Sequence, residues 1–309
     1  MSVDLVTGGA GFIGSHLVRR LLAERRNVRV IDDLSTGDPA RLADLPGPID
    51  LVQIDLATAD LAPHLTDVSR VFHLAAVPSV PRSVNDPLRT HQAVATATLR
   101  LLIASRDGRV ERFVFSSSSS VYGDTETSPK HEGLPLRPLS PYAVAKAAAE
   151  SYVRVFADLY GLSTVALRYF NVFGPAQDPL SQYAAVIPLF ITRALAGRPL
   201  PIDGDGTQTR DFTYVDNVVD ANVKAADADA PGGGVYNIAA GDPHSLLDLV
   251  TQLERLVGHP LERVQRPRRA GDIKHSHADV SAAKRDLRWE PRVTFADGLK
   301  RTYEWYRSR

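Results

Sequence analysis

"VDLVTGGAGFIGSHL", residues 3–17, is the stretch on which the fold turns. An apolar, β-branched run ends at Thr7, glycines follow at Gly8, Gly11 and Gly14, and a helix-like pattern begins at Phe12. Strand, glycine turn and helix in that order open a βαβ unit. Glycines let the backbone approach a pyrophosphate, and free N–H groups at a helix N-terminus bind it. The spacing, G-x-x-G-x-x-G, is one residue wider than the usual dinucleotide fingerprint. Asp32 closes the next run, "NVRVID" (27–32), where an acid can hold the adenosine ribose hydroxyls and repel a 2′-phosphate. Together these features predict an NAD site.

Working outward, further apolar runs stand at 49–55, 70–76, 112–118 and 163–170, with helical patterns near 12–25, 88–105 and 141–160. Buried runs separated by amphipathic helices predict a Rossmann-like, doubly wound α/β domain with a parallel sheet. The expected boundaries are 1–171 for this domain and 172–309 for a smaller α/β substrate domain, with a segment near 212–238 returning to the first. In the second part Pro and Gly punctuate helices expected near 184–196, 216–228, 245–257 and 296–308.

Lys plus Arg and Asp plus Glu number 36 each, so no net field recruits nucleic acid or a membrane surface. Without cysteine, disulfides, thiolate nucleophiles and thiolate-held metals are excluded. That composition suits the cytoplasm. Asp4 interrupts the N-terminal apolar run, which argues against a signal peptide, and no uncharged run approaches the ~20 residues of a membrane span. The nine histidines show no metal-ligand spacing.

The stretch "FVFSSSSSVYG" (113–123) places five serines at the end of an apolar run, where an open α/β sheet binds its ligands. Downstream, "SPYAVAKAAAE" (140–150) sets Tyr142 and Lys146 four apart on one helical face. A phenol titrates near ~10. A neighbouring ammonium and a positive nicotinamide ring would both favour its phenolate form and make it a base.

The glycine fingerprint, the serine-rich strand end and Tyr-x-x-x-Lys resemble the extended short-chain dehydrogenase/reductase family, in particular its nucleotide-sugar epimerases and dehydratases. The likeness runs nearly end to end through "LRYFNVFGP" (167–175), "YAAVIP" (183–188), "TRDFTYVDNV" (209–218) and "RRAGDIKHS" (268–276). It implies catalytic roles for Ser118, Tyr142 and Lys146. It also implies cofactor contacts from Gly8, Gly11, Phe12, Ile13, Gly14, Asp32, Asp33, Ser35, Thr36, Gly37, Asp55 and Leu56. Leu74, Ala75, Ala76, Ser116, Tyr142, Lys146 and Tyr169 complete that set, with Ser116 and Ser117 expected to pack near the cofactor. On the substrate side it implies Ser79, Ser118, Ser119, Ser120, Asn171, Val186, Arg210, Arg269, Asp272 and Ser276. Ser83 reads equally as a sugar contact or a loop cap, as does Ser79.

Within this family, 4,6-dehydratases carry Thr-Asp-Glu where this chain has Ser118, Ser119 and Ser120. The missing carboxyls, and a small Ser276 where plain-hexose members tend to have tyrosine, resemble epimerases of N-acetylated sugars such as UDP-GlcNAc. The implied reaction oxidises carbon 4 of the sugar and re-reduces it on the other face. A dehydratase using the same 4-keto sugar to eliminate water across carbons 5 and 6 is the alternative. A catalytically silent NAD-binding regulator is a minor one, against which the retained Tyr/Lys pair speaks. Three positions depart from the family pattern: Asp203 replaces a base-stacking aromatic, Ala176 an arginine and Val94 an asparagine. A homodimer through the 88–105 and 141–160 segments is expected, since "AVATATLRLLIA" is more apolar than one covered face needs.

Overall fold

The computed structural model describes residues 2–77, 79–179, 185–230, 232–267 and 274–309. Six strands come from the first 169 residues: β1 (Val3–Thr7), β2 (Asn27–Asp32), β3 (Ile49–Gln53), β4 (Val68–His73), β5 (Arg112–Ser118) and β6 (Thr164–Tyr169). After the short strands β7 (Val172–Phe173), β8 (Leu200–Asp203), β9 (Thr209–Asp211) and β10 (Thr213–Tyr214), the chain returns and adds β11 (Gly234–Ile238) beside β6. The resulting sheet has seven strands, all parallel, in the order β11-β6-β5-β4-β1-β2-β3.

Alternation along the strands feeds two cores. Val6, Val30 and Val114 point to one face, and Leu5, Ile31, Phe113 and Phe115 to the other. Helix α1 (Phe12–Ala23) covers the first face with Leu17 and Leu21. The second is covered by α4 (Ala97–Asp107) and α5 (Pro141–Tyr160), which follow the short helices α2 (Val80–Asn85) and α3 (Pro87–His91). Both faces being dry, β6 is buried throughout and β5 at all but its last residue. The strand order reverses between β1 and β4, so a crevice opens at their C-terminal ends.

Helix α5 is delimited by its own sequence. Ser140 caps it by accepting from Ala143 N–H at 3.2 Å, Pro141 takes the first turn, and Gly161 ends it in the left-handed region at φ 68°. The helix expected over 88–105 is instead interrupted. Ser79 and Asp86 cap α2 and α3 by accepting from the N–H of Arg82 and Arg89, and a π-helical turn at Gln92–Thr96 precedes α4. Prolines 81 and 87, which lack the N–H that a helix interior uses, fall in the first turns of α2 and α3.

The second half adds α6 (Val186–Leu195), α7 (Val215–Asp227), β12 (Pro243–Ser245), α8 (Leu246–Val257), β13 (Arg263–Arg266), α9 (Ser281–Asp286) and α10 (Phe295–Arg307). Pairs β7–β10, β8–β13 and β9–β12 knit it together. Helix α7 packs with α1 on the first face of the sheet through Val218 and Val223. Arg112, buried at the start of β5, donates to the carbonyls of Ala225 and Ala230 and to Ser163 Oγ, so it fastens the end of α7 and the segment leading to β11. Among the described residues no helix is long and apolar enough to cross a membrane.

Candidate active site

At the end of β1, Gly8 turns with φ +70°, and a Cβ there would stand 2.7 Å from Ala75 N. A Cβ on Gly14 would lie 2.1 Å from the Gly8 carbonyl oxygen. These two glycines are demanded by the protein's own close packing. Gly11 differs: its Cβ would meet only that same carbonyl, at 3.1 Å, and otherwise projects into open space. Gly11 also caps α1 without a side chain, leaving the first-turn N–H groups, those of Phe12 and Ile13 among them, open to an anion.

Asp32 stands at the end of β2 with one carboxylate oxygen on Ala10 N–H and the other on Leu34 N–H, both at 2.9 Å. Burial pushes its carboxyl up from the ordinary range, and the two N–H bonds pull it back. The loop beyond folds over it: Gly37 comes so near that a Cβ would lie 2.8 Å from Asp32 Oδ1, while Asp33 accepts from both N–H and Oγ of Ser35. Thr36 is exposed beside them. Asp55 follows β3 and accepts from Ala57 N–H, with Leu56 buried next to it. Leu74 N–H bonds Thr7 O, Ala75 N–H bonds Thr7 Oγ1, and Ala76 follows half-buried. The fold thus gathers these residues around the C-terminal ends of β1 to β4.

The next strand end carries the polar groups. Ser118 Oγ accepts from Ser120 N–H at 3.2 Å and from Ser120 Oγ at 2.9 Å, closing the short turn that holds Ser119. With those lone pairs engaged, its own proton is directed outward, and the Ser118 side chain hydrogen-bonds Tyr142. Burial pushes the Tyr142 phenol up to about 12, against a smaller lowering from Ser118. One turn along α5, Lys146 donates to Ser116 O at 2.5 Å and lies 4.9 Å from the centre of the Phe115 ring. Desolvation lowers its ammonium to about 7. The sequence led us to expect an ammonium that favours the phenolate; in the folded chain burial opposes the charge on both groups.

One of the serines expected near the cofactor is held differently. Ser117 does not face the dinucleotide crevice: its Oγ donates to Glu150 Oε2 at 2.6 Å, on the buried side of α5. Tyr169 donates to Asn222 Oδ1 at 2.9 Å and lies within hydrogen-bonding reach of the Ser116 side chain. Ser79 Oγ serves as the α2 cap, and fully buried Ser83 donates to Val80 O, so both hydroxyls are engaged by their own helix.

Asn171, Val186 and Arg210 line a cavity of 260 Å³ with Phe190, Asp203 and Phe212. Asn171, at φ +34°, reaches Asp211 O and, at 3.5 Å, the Oγ of buried Ser276. Ser276 N–H in turn bonds Thr209 O, beside Arg210. Arg269 and Asp272 lie outside the described residues. Of the departures from family pattern, Asp203 borders this cavity, Ala176 turns at φ +63°, and Val94 is fully buried in the π-helical turn. A larger hollow of 850 Å³ lies at the opposite, N-terminal edge of the sheet, among Asp4, Arg26, Arg70 and Asp227, which pair with one another.

The chain matches the model of the NAD dependent epimerase/dehydratase family over residues 5–239. The chain belongs to that family. It is 41% identical over 310 residues to a UDP-glucose 4-epimerase of Mycolicibacterium smegmatis, covering 99% of this chain and 98% of the relative. The UDP-N-acetylglucosamine 4-epimerase of Methanobrevibacter ruminantium, solved with UDP-N-acetylmuramic acid, superposes with a TM-score of 0.94 at 42% identity, covering 99% and 98% of the two chains. The UDP-glucuronic acid 4-epimerase of Bacillus cereus, solved with its namesake sugar nucleotide and NAD, gives 0.91 at 35% identity and 99% coverage of each. NAD is the cofactor of this family member, and the residues present fit it: the open cradle over Gly11, the uncapped start of α1 and Asp32 at the end of β2.

His73 is a residue the sequence reading passed over. It is wholly buried at the end of β4, between Thr7 Oγ1 at 2.7 Å from Nδ1 and Thr98 Oγ1 at 2.9 Å from Nε2. Thr98 donates its proton to Val94 O, so it must accept from Nε2–H; Nδ1 then accepts from Thr7, whose oxygen receives the Ala75 N–H. This directional chain assigns a neutral imidazole, and burial holds its pKa down at about 3. Only the "FHL" within "RVFHLAA" could have hinted at it.

Proposed function

We propose that the chain is a UDP-sugar 4-epimerase whose substrate is a UDP-N-acetylhexosamine. The observation that carries the reading is the approach of Tyr142 to Ser118 at the end of β5, with hydroxyls rather than carboxyls on Ser119 and Ser120. Ser118 orients the sugar 4-hydroxyl, and Tyr142 takes its proton as carbon 4 becomes a ketone. Bound NAD would accept the hydride of carbon 4, return it to the other face, and in its oxidised form bring a positive charge that favours the phenolate. Lys146, held on Ser116 O and near neutrality in pKa, supplies a second positive charge once the phenol ionises. Asn171 and Arg210 hold the diphosphate, about which the 4-keto sugar turns before Tyr142 returns the proton. With no acid or base on Ser119 and Ser120, elimination of water has no carboxyl there to drive it. The small, buried Ser276 beside Asn171 supports room for an acetamido group.

The test is incubation with UDP-GlcNAc and with UDP-glucose, followed by mass and proton NMR. Unchanged mass with an axial 4-hydroxyl on the N-acetylated product is expected. Loss of one water would establish the lyase instead, and turnover of UDP-glucose alone would remove the acetamido reading.

We also infer a homodimer. Val144, Tyr152, Val155 and Leu159 form an exposed apolar stripe along α5, with Ile103 of α4 likewise exposed.

A further inference from the structure

Helix α5 is tied to strand β5 at three successive heights. Tyr142 meets the Ser118 side chain, Lys146 takes the Ser116 carbonyl, and Glu150 accepts from Ser117 Oγ at 2.6 Å. Residues 142, 146 and 150 recur every four positions, so one stripe of the helix carries all three contacts. The third contact is the most deeply buried: Glu150 is 1% exposed and Ser117 2%.

Glu150 cannot swing away from this tie. Its carboxylate is gripped by Arg168 of β6, with Nε at 3.0 Å and Nη2 at 2.5 Å. The Arg168 guanidinium lies 4.6 Å from the centre of the Tyr122 ring and also donates to Glu132 O. Tyr122 in turn donates to Asn237 Oδ1 on β11 at 2.6 Å. A carboxylate fixed on both oxygens by a planar fork presents a fixed acceptor to Ser117.

We propose that the Ser117–Glu150 hydrogen bond is the positioning contact that sets the register of α5 on β5, and through it the approach of Tyr142 to Ser118. Ser117 follows Ser116 and precedes Ser118, so a slip of the strand against the helix moves the Ser118 hydroxyl directly. The proposal rests on Tyr142 and Ser118 as the reacting pair. Ser117 Oγ and the Glu150 carboxylate are engaged with each other and with Arg168, so they act through that pair.

Two substitutions separate alignment from stability. Ser117→Ala removes the tie and leaves the Glu150–Arg168 pair whole. We expect its kcat to fall by roughly 10- to 100-fold, the scale of a displacement near 1 Å. KM and NAD affinity should stay near wild type, and the melting temperature should fall by only a few degrees, the cost of one buried hydrogen bond to a carboxylate. Glu150→Gln keeps an amide oxygen for Ser117 but weakens the grip of Arg168, so it should melt earlier while the folded enzyme keeps most of its kcat. Ser117→Ala with kcat within twofold of wild type overturns the proposal, as does a loss of activity that only tracks loss of stability. If Glu150→Gln does not fold, Ser117→Ala alone decides. Tyr142→Phe is measured alongside: an active Tyr142→Phe removes the reacting pair itself, whereas an inactive one with a normal Ser117→Ala removes only the positioning role.

Discussion

The acetamido group of the sugar meets the protein, in our reading, at one small residue. Ser276→Tyr would fill that space with a phenol ring, and overpacking of this size costs about 1–3 kcal/mol. A sugar with a hydroxyl at carbon 2 escapes most of that cost. The ratio of kcat/KM for UDP-GlcNAc over UDP-glucose should therefore fall by roughly 5- to 150-fold. Steady-state kinetics with both substrates check it, and an unchanged ratio rejects Ser276 as the gate. His73 yields a prediction about pH. Its folded pKa of about 3 lies below the 6.5 of a free imidazole, so between those values the unfolded chain binds the extra proton. Its contribution to stability is full above pH 6.5 and drains away as the pH falls toward 3. Each pH unit is worth about 1.4 kcal/mol per proton. On going from pH 6.5, where the unfolded imidazole is half protonated, to pH 5, His73→Gln should lose about 1.6 kcal/mol less than wild type in urea denaturation. Equal losses would mean that the imidazole is not held neutral.

Among the elements, the glycine turn separates packing from binding. A methyl on Gly14 has no room beside the Gly8 carbonyl, so Gly14→Ala should lower the melting temperature and NAD affinity together. Gly11→Ala should melt within a few degrees of wild type yet bind NAD at least ~10-fold more weakly, about 1.4 kcal/mol. Calorimetric titration with NAD decides, and normal binding by Gly11→Ala would mean that the cradle is not where the pyrophosphate sits. This turn was legible in the sequence because its glycines are local and periodic, as were β1, β2, β5 and β6, whose dry faces demand unbroken apolar runs. The π-helical turn at 92–96 was not legible, because its residues are ordinary helix formers and the change lies in the hydrogen bonding alone. Strands β7 to β10 escaped notice for another reason: at two to four residues they are too short to show a period of two. In the site, spacing along one helix exposed Tyr142 and Lys146. Glu150 continues that same spacing, but its partners Ser117 and Arg168 come from other strands, and only the fold brings them to it.

For the whole molecule, formal neutrality leaves association to shape and apolar surface. The stripe on α5 includes Leu159 at 72% exposed and Val144 at 50%, a poor surface to leave in water on a monomer. Light scattering at micromolar concentration should return twice the 33.6 kDa chain mass. Val155→Asp with Leu159→Asp should return the single mass, since paired carboxylates in a dry interface go unpartnered. A wild-type chain at 33.6 kDa would remove the dimer. The late return of β11 to the sheet has a consequence for synthesis. The chain is made from its N-terminus, so β6 leaves the ribosome 69 residues before the strand that pairs with it is complete. At about 5–20 residues per second that interval lasts roughly 3–14 s. Throughout it the growing polypeptide displays a raw row of β6 amides and carbonyls, a template for pairing with any neighbouring nascent chain. Arg112 waits in the same interval with its carbonyl partners Ala225 and Ala230 still unmade, a buried-to-be cation held in water until translation has passed them.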